Sequence, residues 1–429
     1  MKNLTETEKS FLSNIQKIVF SNPYGDECRQ ACRTFSNGKI EHPADLLDSA
    51  STQVDQLLGK LRKEDNLDLA RYSEDERWLL HHGVIFICYH RYAEKFRKLI
   101  EEQFRQEGAN VKVAFAAEAL GIMTRAGMSA DIAKRYFAFF YQMQRALYFL
   151  DKTLVGTSPS MDRLRHDLWN TIFSHDFSLY EQFLWESIRS VSTIFVGEPG
   201  VGKEASAMAV IGSGFVPFED KTMTFAEPFT EFFKEVNLAQ HDGVRLESEL
   251  FGHQKGAFTE AVENYQGVLS RCSAYDVIYL DGICKMPDPV QAKLASVLQH
   301  RTFTPVGSHT RQTFAGRVMA STRKTPKKLL ADNDMREDLY YQLCVNEIHV
   351  PSLRQRFKEK PSEFELMISH VIHRFTGQDS GNLVGRVIDG MPSHISPGYK
   401  WPGNVSELEQ IVKKILLVKN YESKPTHDN

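Results

Sequence analysis

Apolar positions in the first third of the chain recur at spacings of three and four. Phe11, Ile15, Ile18 and Val19 form one stripe, and Leu47, Val54, Leu57, Leu58 and Leu61 form a second. A third, rich in aromatics, runs through Tyr136, Phe140, Met143, Leu147 and Leu150. Such spacing gathers apolar side chains on one face of a helix, so residues 1–155 are expected to form a mainly helical domain. The third stripe reads as domain core, with a dimer face or a ligand-binding wall as the alternatives. From about residue 191 the pattern changes. The runs VSTIFV (191–196) and VIYLD (277–281) are short, apolar and β-branched, and helical stretches alternate with them. That alternation predicts a parallel sheet with helices on both faces over 156–352. Beyond it, residues 353–429 read as a small helical lid, and the turn-rich GTSPS (156–160) marks the linker, with Ser160 as a helix N-cap. The chain is thus expected to be an α/β protein in three parts: 1–155, 156–352 and 353–429.

Composition adds little direction. The 429 residues are 42% hydrophobic, enough for packed cores, and 52 basic against 55 acidic residues leave a net charge of −3. No whole-chain field draws it to nucleic acid or membrane, although local patches remain open. The apolar run 83–89 is far shorter than the roughly 20 residues that span a bilayer. The polar N-terminus is unlike a signal peptide, so a cytoplasmic protein is expected. Six cysteines, at 28, 32, 88, 272, 284 and 344, show no paired CxxC spacing. Cys28 and Cys32 can share a helical face, but reduced thiols are the expectation, and His81, His82 and His90 are not spaced as a compact ligand set.

Chemistry concentrates in the middle. After the first β-run comes GEPGVGKE, made of Gly197, Glu198, Pro199, Gly200, Val201, Gly202, Lys203 and Glu204, and a helical pattern follows it. This fits the phosphate-loop pattern GxxxxGK between strand and helix. The glycines let backbone N–H groups turn toward phosphate oxygens, and Lys203 supplies a point charge to the terminal phosphates. The second run ends at Asp281, the arrangement that holds Mg²⁺ beside the phosphates in phosphate-loop NTPases.

Residues 249–261, ELFGHQKGAFTEA, place small residues and one aromatic at a loop tip: Gly256, Ala257, Phe258, Thr259, Glu260 and Ala261. The stretch resembles the signature ELFGHxxGAFTGA of the sigma-54-dependent transcription activators, a family of AAA+ ATPases, with Glu260 where the family has glycine. Further segments follow in the family's order. MREDLYY (335–341) resembles FREDLYYRL, VPSLRQR (350–356) resembles LPPLRER, and WPGNV (401–405) resembles the lid signature WPGNVREL. The resemblance spans roughly residues 190–415. It implies an AAA+ phosphate-loop ATPase core with a helical lid, binding ATP and Mg²⁺, and loops that touch sigma-54 RNA polymerase. It also implies a ring or dimer of identical subunits, and residues 161–190 helping to enclose the adenine. By position, Asp281 holds Mg²⁺, Asn237 couples the catalytic carboxylate to the contact loop, and Arg336 is an arginine finger reaching the neighbouring subunit's γ-phosphate.

The departures from the family fall together. Gly282 stands where a glutamate polarises the attacking water, Gln342 where a second finger sits, and Ser406 where a lid arginine senses nucleotide. Arg323 replaces a polar Asn or His at the end of ASTRK (320–324). Loss of a positioned base typically reduces rate by about 10²–10⁴. The expectation is therefore nucleotide binding with weak or lost hydrolysis, unless Glu260, Arg323 or Asp288 substitutes. Only some 25 residues follow the lid signature, so direct DNA binding is not expected. Two functions follow: a regulator of sigma-54 polymerase, or an inactive nucleotide-gated interaction or sensor protein.

Overall fold

The computed structural model of the chain describes residues 3–36, 43–65, 69–106, 108–240, 243–378, 381–393, 395 and 398–418. It divides into two compact units, each assembled from several segments. One comprises Leu150–Leu168, Ser190–Ile211 and Phe233–Asn429; the other Met1–Phe149, Trp169–Arg189 and Gly212–Phe232.

The first of these holds a five-stranded parallel sheet. Its strands are β1 (Thr193–Val196), β4 (Phe233–Asn237), β5 (Val277–Asp281), β8 (Arg317–Thr322) and β9 (Asn346–His349), in the spatial order β4-β5-β8-β1-β9. Strands β2 (Phe218–Glu219) and β3 (Thr224–Phe225) form a separate hairpin, and β6 (Thr302–Phe303) pairs with β7 (Gln312–Thr313). All four residues of β1 are buried, as are the first four of β5 and all six of β8, which explains the apolar runs 194–196, 277–280 and 318–320, while Thr193, Arg317, Ser321 and Thr322 are buried polar residues. The helix Lys203–Ile211 packs against β1, β5 and β8. Leu280, Ile278, Ala320, Val318 and Ile194 instead join a core with the helices Gly243–Phe251, Asp288–His300 and Glu337–Leu343. The lid has its own core, in which Trp401, Leu353, Ile368, Leu408 and Val412 are buried. The α/β class, the parallel sheet and the helical lid are as expected.

The other unit is helical except for the β2–β3 hairpin. It contains the helices Glu6–Phe20, Asp26–Ser36, Pro43–Asp65, Glu74–Arg105 and Ala116–Arg125, and most of Ala130–Thr153. Thr5 and Glu8 close a capping box at the first of these. The predicted stripes point inward at Ile15, Ile18, Val54, Leu58, Leu61, Tyr136, Phe140 and Met143, while Leu147 is half-buried and Leu150, also buried, falls in the sheet-containing unit. The side chain of Leu47 lies outside the described residues, as does the tail after 418.

Segments 169–189 and 212–232 fall with the N-terminal helices for a chemical reason. Phe225 stacks on Tyr141 with ring centroids 3.8 Å apart, and Phe218 meets Phe137 edge-on at 4.9 Å. Arg145, fully buried, donates to the carbonyls of Gly212 at 2.8 Å and Gly214 at 2.5 Å. Arg135 lies 3.0 Å over the ring of Trp185, which packs on Phe215. Aromatic area and one buried guanidinium thus decide a grouping that sequence distance does not suggest. Of the stretch 161–190 expected beside the adenine, Met161 and Leu164 line the pocket described next, whereas 169–189 belong to the helical unit.

Candidate functional site

The strands of the parallel sheet deliver their C-terminal ends to one edge. There β1 runs into the phosphate loop, β5 ends at Asp281, and the β4–β5 register sets Asn237 opposite Asp281. Ligands of open parallel sheets bind at this edge. A cavity of about 790 Å³ opens there, within the size range of ligand pockets. Its lining combines Pro199, Gly200, Val201, Gly202, Lys203 and Glu204 with Asn237, Tyr279, Asp281, Gly282, Ser321, Thr322 and Arg323. Apolar side chains complete it: Leu154, Val155, Met161, Leu164, Val350 and Met367, with His370, Arg374, Ser406 and Glu409 from the lid.

The glycine loop lies directly against the lid turn. Gly200 has φ +71°, and a Cβ there would collide with the carbonyl oxygen of Gly403. Only glycine lets the lid turn approach so closely. Val405 N–H donates to Gly200 O at 3.0 Å, and the Asn404 amide donates to Pro199 O at 3.0 Å and to the Glu198 carboxylate at 3.2 Å. Arg354 grips Glu198 with both terminal nitrogens, one at 2.6 Å, and this pairing, with burial opposing it, holds the Glu198 carboxyl below its usual range. Glu198 and Gly197 thus lie outside the pocket lining; Glu198 ties loop to lid.

Lys203 Nζ donates to the carbonyls of Gly197 and Glu198 at 3.0 and 2.9 Å. Burial lowers its pKa, Asp281 opposes that, and the Arg323 charge lowers it further. The Ser321 hydroxyl donates to Asp281 and accepts from Gly282 N–H at 3.0 Å, which fixes the carboxylate's direction. Gly282 has φ +77° and brings no side chain to the pocket.

Arg336 is not among the lining residues. Its guanidinium is held by Asp288 and Asp338, each at 3.0 Å, and both pairings raise its pKa. Asp288 therefore serves Arg336. The 256–261 loop closes through Gly256 N–H to Ala261 O at 2.8 Å and Ala261 N–H to Phe258 O at 2.9 Å. Phe258 is half-buried, its ring meeting His253 edge-on at 4.8 Å, while Glu260 is exposed and pairs with Arg245 at 3.1 Å.

Several residues of the site were not singled out from the sequence. Glu235, two positions before Asn237 on β4 and outside the cavity lining, feels the site only through charge: its pKa is raised by burial and by the charges of Glu204 and Asp281. Its signal was an acidic residue inside an otherwise strand-like run. His370, Arg374 and Glu409 are ordinary amphipathic-helix positions and carried no signal.

The family described as "Sigma-54 interaction domain" matches residues 178–349. The nitrogen fixation protein VnfA of Azotobacter vinelandii is 34% identical over 55% of this chain and 42% of its own length. The DNA-binding transcriptional regulator NtrC of Azospirillum brasilense is 33% identical over 63% of this chain and 49% of its own length. The chain thus spans about half the length of these curated relatives. A solved structure of NtrX from Brucella abortus in complex with ATP aligns with 71% of this chain and 62% of its own at 22% identity and a TM-score of 0.45. The 178–349 segment is accordingly similar to the sigma-54 interaction domains of transcription regulators. Among the described residues no helix is long and apolar enough to cross a membrane.

Proposed function

We propose that this chain is an ATP-binding regulator of sigma-54 RNA polymerase whose nucleotide site binds far better than it cleaves. The observation that carries this reading is that the phosphate loop, Lys203 and Asp281 line one cavity while Gly282, beside Asp281, offers no base. The residues present fit the ligand. Glycine backbone and Lys203 face the phosphates, the apolar wall from Leu154 to Leu164 with Val350 and Met367 suits a base, and Asp281 with Glu204 would hold Mg²⁺. The ion supplies neutralisation of phosphate charge.

Asn237, opposite Asp281 in register, links the site to the chain leading to the 256–261 loop, which is the polymerase-contacting element. Nucleotide binding shifts that loop by differential affinity, without cleavage. Arg336 acts across a subunit interface in a ring or dimer after leaving Asp288 and Asp338. Residues 1–155 are the regulatory part, and the protein works in the cytoplasm.

Calorimetric titration of Mg·ATP into the parent and Lys203→Ala, followed by association with sigma-54 holoenzyme, tests the proposal. Binding by the parent, its loss in Lys203→Ala, and nucleotide-dependent association are expected. Equal ATP affinity in both proteins would refute the phosphate-loop reading, and association indifferent to nucleotide would refute the coupling.

A further inference from the structure

The helix Asp26–Ser36 carries two cysteines one turn apart, Cys28 and Cys32, which the nucleotide reading leaves unused. Both thiols are free and half-buried, so a small solute has a path to them. They also meet each other, with a hydrogen bond between the two sulfurs. That bond separates their acidities. Donation from Cys28 stabilises a thiolate at Cys32 and, against the opposing effect of burial, brings Cys32 down to about 7. The same bond, and then burial, pushes Cys28 up. The pair therefore holds one thiolate and one thiol near neutral pH, and the thiolate is the nucleophilic form. Other cysteines are placed differently. Cys88 is fully buried, and burial pushes Cys88, Cys272 and Cys344 up to about 12. Cys284 lines the cavity without a second cysteine in the lining.

We propose that Cys28 and Cys32 form a peroxide-sensing dithiol, in which a hydroperoxide oxidises Cys32 and Cys28 resolves the product as a disulfide within one helix. In the first step the Cys32 sulfur attacks the terminal oxygen of the hydroperoxide. An S–O bond forms, the O–O bond breaks, and the leaving alkoxide takes a proton from solvent to become an alcohol, or water when the oxidant is hydrogen peroxide. In the second, the Cys28 sulfur attacks the sulfenic sulfur of Cys32. The S–S bond forms, the S–O bond breaks, and hydroxide leaves with the Cys28 proton as water. Two thiols thereby give two electrons to one peroxide. Helix geometry makes the product reversible. Residues four apart on a helix have Cα atoms about 6 Å apart, inside the span of a disulfide, but their Cβ atoms, roughly 5–6 Å apart, must close to about 4 Å. Cys28 lies in the first turn, so the tightening falls where the helix ladder is least complete. A bond strained in this way is easily reduced, as sensing disulfides are and structural ones are not. The helices Glu6–Phe20 and Pro43–Asp65 pack on this one and receive the distortion. The dithiol stands apart from the nucleotide site, so failure of either reading leaves the other in place.

The test treats the reduced full chain, and its Cys28→Ser and Cys32→Ser variants, with a slight excess of hydrogen peroxide at pH 7, followed by alkylation and mass spectrometry. Trypsin cuts after Arg29, so the disulfide appears as a linked pair of peptides, 18–29 and 30–33, that dithiothreitol releases. The parent is expected to give this pair from protein that runs as a monomer on a non-reducing gel, with Cys32 oxidised at least about tenfold faster than Cys88, Cys272 or Cys344. Cys28→Ser should stop at a Cys32 sulfenic acid that dimedone traps, and Cys32→Ser should leave Cys28 reduced over the same time. Both variants should keep the parent's circular dichroism. Three results would each overturn the proposal: Cys28 and Cys32 still reduced in the parent after other cysteines have reacted, a cross-linked dimer in place of the monomeric disulfide, or oxidation of Cys28 at the parental rate in Cys32→Ser.

Discussion

The carboxylate of Glu260 lies 3.1 Å from the guanidinium of Arg245, so the acidic side chain at the tip of the 256–261 loop is neutralised by the helix that precedes the loop. Both side chains are more than 60% exposed, at 68% and 62%, and an exposed pair of this kind is worth less than about 1 kcal/mol. Arg245→Ala is therefore expected to leave the unfolding midpoint nearly unchanged. Its effect should appear in binding. An unpaired carboxylate is expensive to bury at an apolar contact, so Arg245→Ala should weaken nucleotide-dependent association with sigma-54 holoenzyme and Glu260→Gly should strengthen it, both measured by biolayer interferometry. Weakening by both variants would show that Glu260 is itself a contact residue.

Gly282 is held at φ +77°, a conformation that L side chains adopt at an energy of roughly 1–2 kcal/mol per residue. Gly282→Glu is thus expected to lower stability by about that amount, seen in urea titration. It should recover little hydrolysis, because Gln342 and Ser406 remain altered. Near-complete recovery in a phosphate-release assay would contradict this account.

Glu363 is fully buried and accepts from Arg356 at 2.5 Å, Ser158 N–H at 2.7 Å and Thr157 N–H at 3.2 Å. One carboxylate thereby fixes the start of the helix Pro159–Phe173 to the lid. That helix begins before Ser160, which lies in its first turn and donates its N–H to Glu359 at 2.8 Å. Removing one partner of a buried pair strands the other charge, so Glu363→Ala should destabilise by about 3–5 kcal/mol. A loss under about 1 kcal/mol by chemical denaturation would mean that solvent relieves Arg356.

His82 is buried between Phe20 and Trp78, and neither ring nitrogen has a hydrogen-bond partner among the described residues. Burial pushes its pKa down to about 3. The unfolded chain protonates this ring below about 6.5, so as pH falls from there the unfolded state binds the extra proton and stability is lost, by about 2 kcal/mol at pH 5. Glu181, raised by burial to about 7, acts in the opposite sense, because its folded carboxyl holds a proton that the unfolded chain has released. Comparing the parent with His82→Leu isolates the histidine. The variant's melting temperature should fall less between pH 7 and pH 5, and parallel curves would contradict the burial argument.

The candidate site was largely legible because its residues are local in sequence: strand, glycine loop, Lys203 and helix within nineteen positions, 193–211, and Asp281 at the end of its own apolar run. The lid signature was legible too, although only the structure explains it, with Asn404 bonded to Pro199, Glu198 and Leu353. What the sequence could not reveal depends on partners far along the chain. Phe218 and Phe225 look like any strand aromatics until Phe137 and Tyr141 stand beside them, and Arg145 looks like a helix-surface charge until the carbonyls of Gly212 and Gly214 meet it. The positive φ of Gly282 was likewise invisible, so its substitution read only as a lost base.

The central claim is that the pocket binds ATP and scarcely cleaves it. Single-turnover release of γ-phosphate from Mg·ATP bound to saturating protein, with and without sigma-54 holoenzyme and with Lys203→Ala as the binding control, tests this directly. The expected result is bound nucleotide in the parent with turnover at least a hundredfold below the roughly 1 s⁻¹ of competent enzymes. Release near 1 s⁻¹ would contradict it.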